Sequence, residues 1–198
     1  MTTATLSAAT IAIVILSWVL FAVTFLWRSR MGPGAERTRD RSSFLAIAVQ
    51  GAGFALIWGL RRPFGTTLVP TGLVGGVAFL AIAATLALGS AGVAMASIRM
   101  LGKQWSLAAR VLEGHDLITT GPYAWVRHPI YTALYGMLLA TGLALTRWPA
   151  LVAGSLLFGL GTALRIRIEE RLLRRCFGEA YAHYAARVPA VFPWPRHG

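Results

Sequence analysis

Long apolar runs, separated by short stretches rich in arginine, proline and glycine, set the pattern of the chain. Five of them approach the roughly 20 helical residues that a bilayer core about 30 Å thick requires. They fall at 6–27, 44–60, 71–97, 130–145 and 149–164. The last two are short, about 24 Å each at 1.5 Å per residue, so "TRWP" at 146–149 reads as the turn of a tight or partly re-entrant hairpin. The third is long and predicts a helix that tilts or projects into the cytosol. The pattern predicts an all-α integral membrane protein with about five transmembrane helices and a helix 4–5 hairpin.

Composition sharpens this picture. The 198 residues are 56% hydrophobic and 13% charged, more apolar than the surface of a soluble domain could hide. The amino terminus is expected to be a retained first helix rather than a signal peptide. "MTTATLSAAT" has no basic n-region, and "RSRMGPGAER", not a small-residue cleavage site, follows the run.

A net charge of +12 raises the question of nucleic acid, but its distribution gives another answer. Sixteen of the nineteen basic residues follow the first, third and fifth runs; Arg61, Arg62 and Arg147 lie on the other side. The positive-inside rule then places the amino terminus outside and the carboxyl-terminal segment in the cytoplasm, in what is expected to be a bacterial inner membrane. All seven acidic residues share the cytoplasmic side, so the polar chemistry is expected there. A basic inner face suits anionic membrane lipids, and no nucleic acid is expected as a partner. Cys176, the one cysteine, is expected to be a free thiol.

Residues 1–98 read as helices one to three. Gly51-Ala-Gly53 and the "GLVGG" of 72–76 serve most simply as places where helices approach closely. Residues 99–198 differ. "LGKQWSLAARVLEGHDLITTGPYAWVRHP" is long for a connection between neighbouring helices, and long polar loops with aromatic residues are usually functional. Lys103, the only lysine, stands out in an arginine-rich background as a candidate cofactor contact. Pro129 suits the first position of helix four, where its missing amide hydrogen would have no partner in any case. Tyr131 and Tyr135 then share a helix face, with Arg127 and His128 at the rim. Beyond helix five, Glu169 and Glu170 could pair with Arg165 and Arg174 across one turn. The hairpin brings Arg127, His128 and Tyr131 alongside Arg167, Glu169 and Glu170, a pocket of both charge signs at the edge of the lipid.

These motifs, "LGKQWS", "HDLITTGPYAWVRHPIY" and "RIRIEERLLRRCFGEAYAHYAARVPAVFPW", resemble the isoprenylcysteine carboxyl methyltransferase family and its bacterial relatives over roughly residues 85–194. The resemblance implies an integral membrane enzyme that uses S-adenosylmethionine, held in a cytoplasmic cofactor pocket built from the loop before helix four, the helix 4–5 hairpin and the carboxyl-terminal segment. It implies cofactor contacts from His115, Leu117, Tyr123, His128, Tyr131 and Glu169 or Glu170, and an anionic substrate oriented by Arg127 or Arg167. The acceptor it implies is lipophilic, most simply a carboxylate on a small molecule or lipidated substrate that arrives from the bilayer.

Methyl transfer from a sulfonium to a carboxylate joins opposite charges and needs no general base, so a dry, well-aligned site supplies the catalysis. An amine or thiol acceptor would need one, and His128 or Glu170 could serve. Three alternatives stand beside this reading: a phospholipid or thiol methyltransferase, an NADPH-dependent sterol-type reductase with a similar hairpin, and a non-enzymatic membrane scaffold. "GLGTAL" at 159–164 lacks the third glycine of a nucleotide loop and lies within helix five. His115, His128, His183 and His197 have no cysteine or clustered carboxylate at ligand spacing, so no metal is expected.

Overall fold

The computed structural model describes residues 2–30, 36–39, 43–66, 68, 73–104, 110–112 and 116–193. Five α-helices carry most of them: α1 (Thr3–Ser29), α2 (Ser43–Gly59), α3 (Leu73–Leu101), α4 (Pro129–Leu145) and α5 (Trp148–Arg187). α1, α3 and α5 are long and apolar enough to cross a membrane, and α2 and α4 are shorter apolar helices of 17 residues each. At 1.5 Å per residue the shorter pair measures about 26 Å, a little under a typical bilayer core. The expected five spans therefore resolve into three full-length candidates and two shorter helices. With its lipid-like exterior of Ile15, Val19, Val23, Leu156 and Leu160, the chain is an integral membrane protein.

Two features add to the five-helix architecture expected from sequence. Strands β1 (Glu36–Arg39) and β2 (Arg110–Leu112) pair antiparallel, with Glu36 opposite Leu112 and Arg39 opposite Arg110. This ladder ties the loop after α1 to the loop after α3. Helix α5 also continues far beyond the apolar run that ends at Leu164, to Arg187, with a sharp bend at Gly178 (φ +51°, ψ −121°). Glycine reaches that left-handed backbone at little cost because it has no Cβ.

Local sequence explains the helix ends. The Thr2 side chain accepts a hydrogen bond from the Thr5 amide at 3.2 Å and caps α1. Pro129 opens α4 as expected, with His128 at the cap. Only Thr146 and Arg147 separate α4 from α5, and Pro149 sits in the first turn of α5. The C-terminal carbonyls of α4 find an unusual partner in Arg62. Its guanidinium donates to Leu143 at 2.6 Å and to Ala144 and Thr146 at 2.8 Å each. A cation suits that end of a helix, where the backbone dipole is negative.

α4 occupies the middle of the bundle. On one side it packs with α1 and α3 through Val14, Ala87, Ala140 and Ala144, and on the other with α2 and α5 through Ile57, Leu138 and Phe158. The α2–α5 contact is the most extensive and is built on small residues. A Cβ on Gly53 would lie 2.7 Å from the Gly154 carbonyl oxygen, and one on Gly161 would lie 2.7 Å from the Gln50 amide. The close approach expected of the Gly51–Gly53 segment is thus made by Gly53, while Gly51 faces open space. Side-chain bonds cross between helices within the apolar bundle: Trp18 Nε1 donates to Thr141 at 3.0 Å, and Gln50 Nε2 to Thr162 at 2.8 Å. Such bonds hold helices together where the surroundings offer no water.

Candidate active site

The site forms where the hairpin's two free ends meet. α4 begins at Pro129 and α5 leaves its apolar stretch at Arg165, so a turn of two residues at the far end brings these positions side by side. Glu169 and Glu170 point toward the start of α4 and are met there by three side chains. Arg127 donates to Glu170 Oε1 from Nη2 at 2.6 Å and from Nε at 3.0 Å. His128 lies between the two glutamates, with Nε2 3.4 Å from Glu170 and Nδ1 3.5 Å from Glu169. The Tyr131 hydroxyl donates to Glu169 Oε1. From α5 itself Arg165 reaches Glu169 at 3.2 Å and Arg174 reaches Glu170 at 3.4 Å.

The aromatic rings order this cluster. His128 and Tyr131 stack with centroids 5.7 Å apart, and the Arg165 guanidinium lies 5.1 Å from the Tyr131 ring centroid on the opposite helix. His128, Tyr131 and Arg165 are all buried. Burial alone would depress the His128 pKa. Its contacts to Glu169 and Glu170 outweigh burial and raise the pKa above the usual histidine value, so the imidazolium is favoured. Burial, followed by the negative charge of Glu169, also raises the Tyr123 phenol and keeps it protonated.

The carboxyl-terminal segment completes the enclosure. After the bend at Gly178 the chain turns back, and the Tyr184 hydroxyl donates to the Tyr123 carbonyl at 2.6 Å. The amides of Arg127 and His128 donate to the carbonyls of Pro189 and Ala190 at 2.8 and 2.9 Å. Arg127 Nη1 donates to the carbonyls of Ala185, at 2.9 Å, and Val188. Thr132 Oγ1 donates to Val191 at 2.6 Å. The Tyr181 hydroxyl is buried beside the Arg127–Glu170 pair and has no hydrogen bond of good geometry among the described residues.

Of the residues singled out from sequence, Arg127, His128, Tyr131, Glu169 and Glu170 come together. Tyr123 stands behind them, joined to the tail through Tyr184. Leu117 lies half-buried in the extended segment that leads to the Gly121–Ala124 turn. Lys103 falls in the short 3-10 turn Gly102–Gln104 after α3. His115 lies outside the described residues. Arg167 corrects the sequence-based grouping: it is exposed and lines a separate groove, and Arg165 occupies the place expected of it. The signal for Arg165 was its i,i+4 spacing from Glu169, which reads equally well as an ordinary surface pair. Tyr181 and Tyr184 were visible only as part of a tyrosine-rich tail.

A bundle of apolar helices with a buried cluster of carboxylates, arginines and an imidazole at one rim defines a class: integral membrane proteins with a polar site at the lipid boundary. Within that class, residues 81–175 match the model of the Isoprenylcysteine carboxyl methyltransferase (ICMT) family. Similar curated proteins include the cobalt-zinc-cadmium resistance protein CzcN of Cupriavidus metallidurans, 33% identical over 79% of this chain and 65% of that protein. The protein-S-isoprenylcysteine O-methyltransferase of Schizosaccharomyces pombe is 33% identical over 44% of this chain and 37% of its own length. Methanethiol S-methyltransferase 1 of Bradyrhizobium diazoefficiens is 40% identical over 37% of this chain and 25% of its own. The chain thus spans less than two thirds of the length of these relatives. Glu169 and Glu170 fall inside the matched stretch; Tyr181 and Tyr184 lie beyond it.

Proposed function

We propose that this chain is an integral membrane methyltransferase that uses S-adenosylmethionine and transfers the methyl group to a lipophilic acceptor, with its site on the cytoplasmic side. The observation that carries this reading is the adjacent pair Glu169–Glu170, bridged by His128 from across the hairpin, inside the stretch that matches the family.

The residues present fit the cofactor in type. S-adenosylmethionine presents an ammonium group and ribose hydroxyls, which call for carboxylate acceptors, and a carboxylate, which calls for a buried donor. Glu169 and Glu170 supply the first, and the buried Tyr181 hydroxyl, which forms no well-aligned hydrogen bond beside the Arg127–Glu170 pair, is a candidate for the second. When bound, the cofactor supplies an electrophilic methyl group. The chain's own part is to bind, align and exclude water. Tyr131 and His128 hold the two carboxylates in place, and Arg127 is a positioning residue because its guanidinium is committed to Glu170 and to the tail. The tail closes one side of the site, which favours a reaction that consumes opposite charges and is slowed by water.

His128 also bears on the acceptor. Contacts to two carboxylates raise the His128 pKa and so weaken its imidazole as a general base, which favours a carboxylate nucleophile that needs none. The similarity to a methanethiol S-methyltransferase supports a second reading with a thiol acceptor, in which the neutral form of His128 would have to take the proton.

Calorimetric titration of S-adenosylhomocysteine into the detergent-purified protein tests the proposal, beside a His128→Ala variant and an NADPH control. Saturable binding that is lost in the variant supports it. Binding of NADPH instead turns the reading toward a reductase, and no binding of either leaves a scaffold as the better account. Methyl transfer to a farnesylated cysteine analogue and to methanethiol then separates the two acceptors.

A further inference from the structure

Helix α5 has a second polar face, which shares only Glu170 and its partner Arg174 with the site. Arg167, Arg171 and Arg174 line a groove of about 630 Å³, together with Leu45 and Ala46 from the first turn of α2 and Leu164, Ile168 and Glu170 from α5. Arg167, Arg171 and Arg174 are exposed, and neither Arg167 nor Arg171 forms an ion pair with a described residue. Arg174 is held by Glu170 only at 3.4 Å, with 62% of its side chain exposed, so it is free to turn.

The depth of this groove decides what it suits. The uncharged part of α5 ends at Leu164, the first residue of the groove on that helix, and charged residues occupy the turns that follow. The groove therefore straddles the level at which hydrocarbon gives way to headgroups. Below it lies an apolar wall that includes the exposed Leu45; above it lie guanidinium groups, whose planar forks match phosphate oxygens. A free phosphate would leave that wall facing water, and a zwitterionic lipid would set its own cation against the arginines.

We propose that the groove between α2 and α5 is a binding site for one anionic phospholipid, its phosphate held by Arg167 and Arg171 with Arg174 at the edge, and an acyl chain along Leu45, Ala46 and Leu164. Glu170 lines both this groove and the active-site cluster, so the lipid sits one side chain away from the site. The proposal does not depend on which reaction the chain performs.

Native mass spectrometry of the full chain in dodecyl maltoside tests it, with phosphatidylglycerol, phosphatidylcholine or sodium phosphate as the probe. One retained phosphatidylglycerol is expected, without matching retention of phosphatidylcholine or phosphate. In the Arg167→Gln/Arg171→Gln double variant the retention should fall by roughly tenfold or more, while Arg175→Gln, exposed on the same helix but outside the groove, should behave as the parent. Leu45→Glu, a change at an exposed position that places a carboxylate in the groove, should lower it as well and serves where the double variant does not fold. Equal retention in groove variants and in Arg175→Gln, equal retention of phosphatidylcholine, or retention of phosphate alone would each overturn the proposal.

Discussion

Arg127 makes four hydrogen bonds from one guanidinium, two to a single carboxylate and two to backbone carbonyls of the tail. Lysine cannot reproduce that fork. Arg127→Lys is therefore expected to lower the melting temperature in detergent and to weaken S-adenosylhomocysteine binding, although the charge is kept. Arg127→Ala should be worse, since removing one partner of a largely buried pair costs about 3–5 kcal/mol. An unchanged melting temperature in both would show that the clamp is dispensable. His128 gives a pH dependence with a definite sign. Its pKa is raised on folding, so its contribution to stability is complete below the unfolded value of about 6.5 and is lost as pH rises through the higher folded value. Thermal melts of the parent protein should accordingly fall toward alkaline pH, and His128→Gln should flatten that part of the profile. The meeting of Arg127 with Glu170 was legible in the sequence because a hairpin leaves few alternatives. The choice between Arg165 and Arg167 was not. At about 100° per residue these two point to nearly opposite faces of α5, and Arg165 lies about 40° from Glu169; periodicity alone does not say which face turns toward α4.

Among the helices, α2 and α5 depend most on the absence of side chains. Gly53→Val and Gly161→Val place methyl groups within about 3 Å of the facing backbone, and neither helix can give way without losing the Gln50–Thr162 bond. Each substitution should destabilise by about 1–3 kcal/mol. Gly51→Ala and Gly159→Ala, which meet open space, should be neutral or slightly stabilising through helix propensity. Similar melting temperatures for all four variants would show that the interface is loose. The sequence disclosed the order of the helices and, for all but α5, their ends to within a few residues, since apolar runs mark them directly. It did not disclose the β1–β2 ladder: three- and four-residue strands carry no periodic pattern, and their pairing is between loops some seventy residues apart. It also hid the full extent of α5, because that helix changes from an apolar to a charged surface without any break in its backbone hydrogen bonding before Gly178.

For the molecule as a whole, the helix ends sort into two groups. Arg62 and the α4–α5 turn lie at one end of the bundle, and the site, the long arm of α5 and the β ladder at the other. The charge distribution predicts that the second end faces the cytoplasm. Cys176, a free thiol, should react with a membrane-impermeant maleimide in inside-out vesicles and not in intact cells, whereas a Cys176→Ser/Phe64→Cys double variant, with its thiol at the other end, should do the opposite. The reverse pattern would invert the topology. The tail that closes the site carries a consequence for biosynthesis. Arg127 is translated about sixty residues before the carbonyls of Ala185 and Val188 that receive its guanidinium, and His128 about as far before Ala190. A nascent chain can thus insert its apolar helices while the cluster they carry is still unfinished, and a ribosome stalled before residue 185 would hold a membrane-embedded protein whose site has no closing wall.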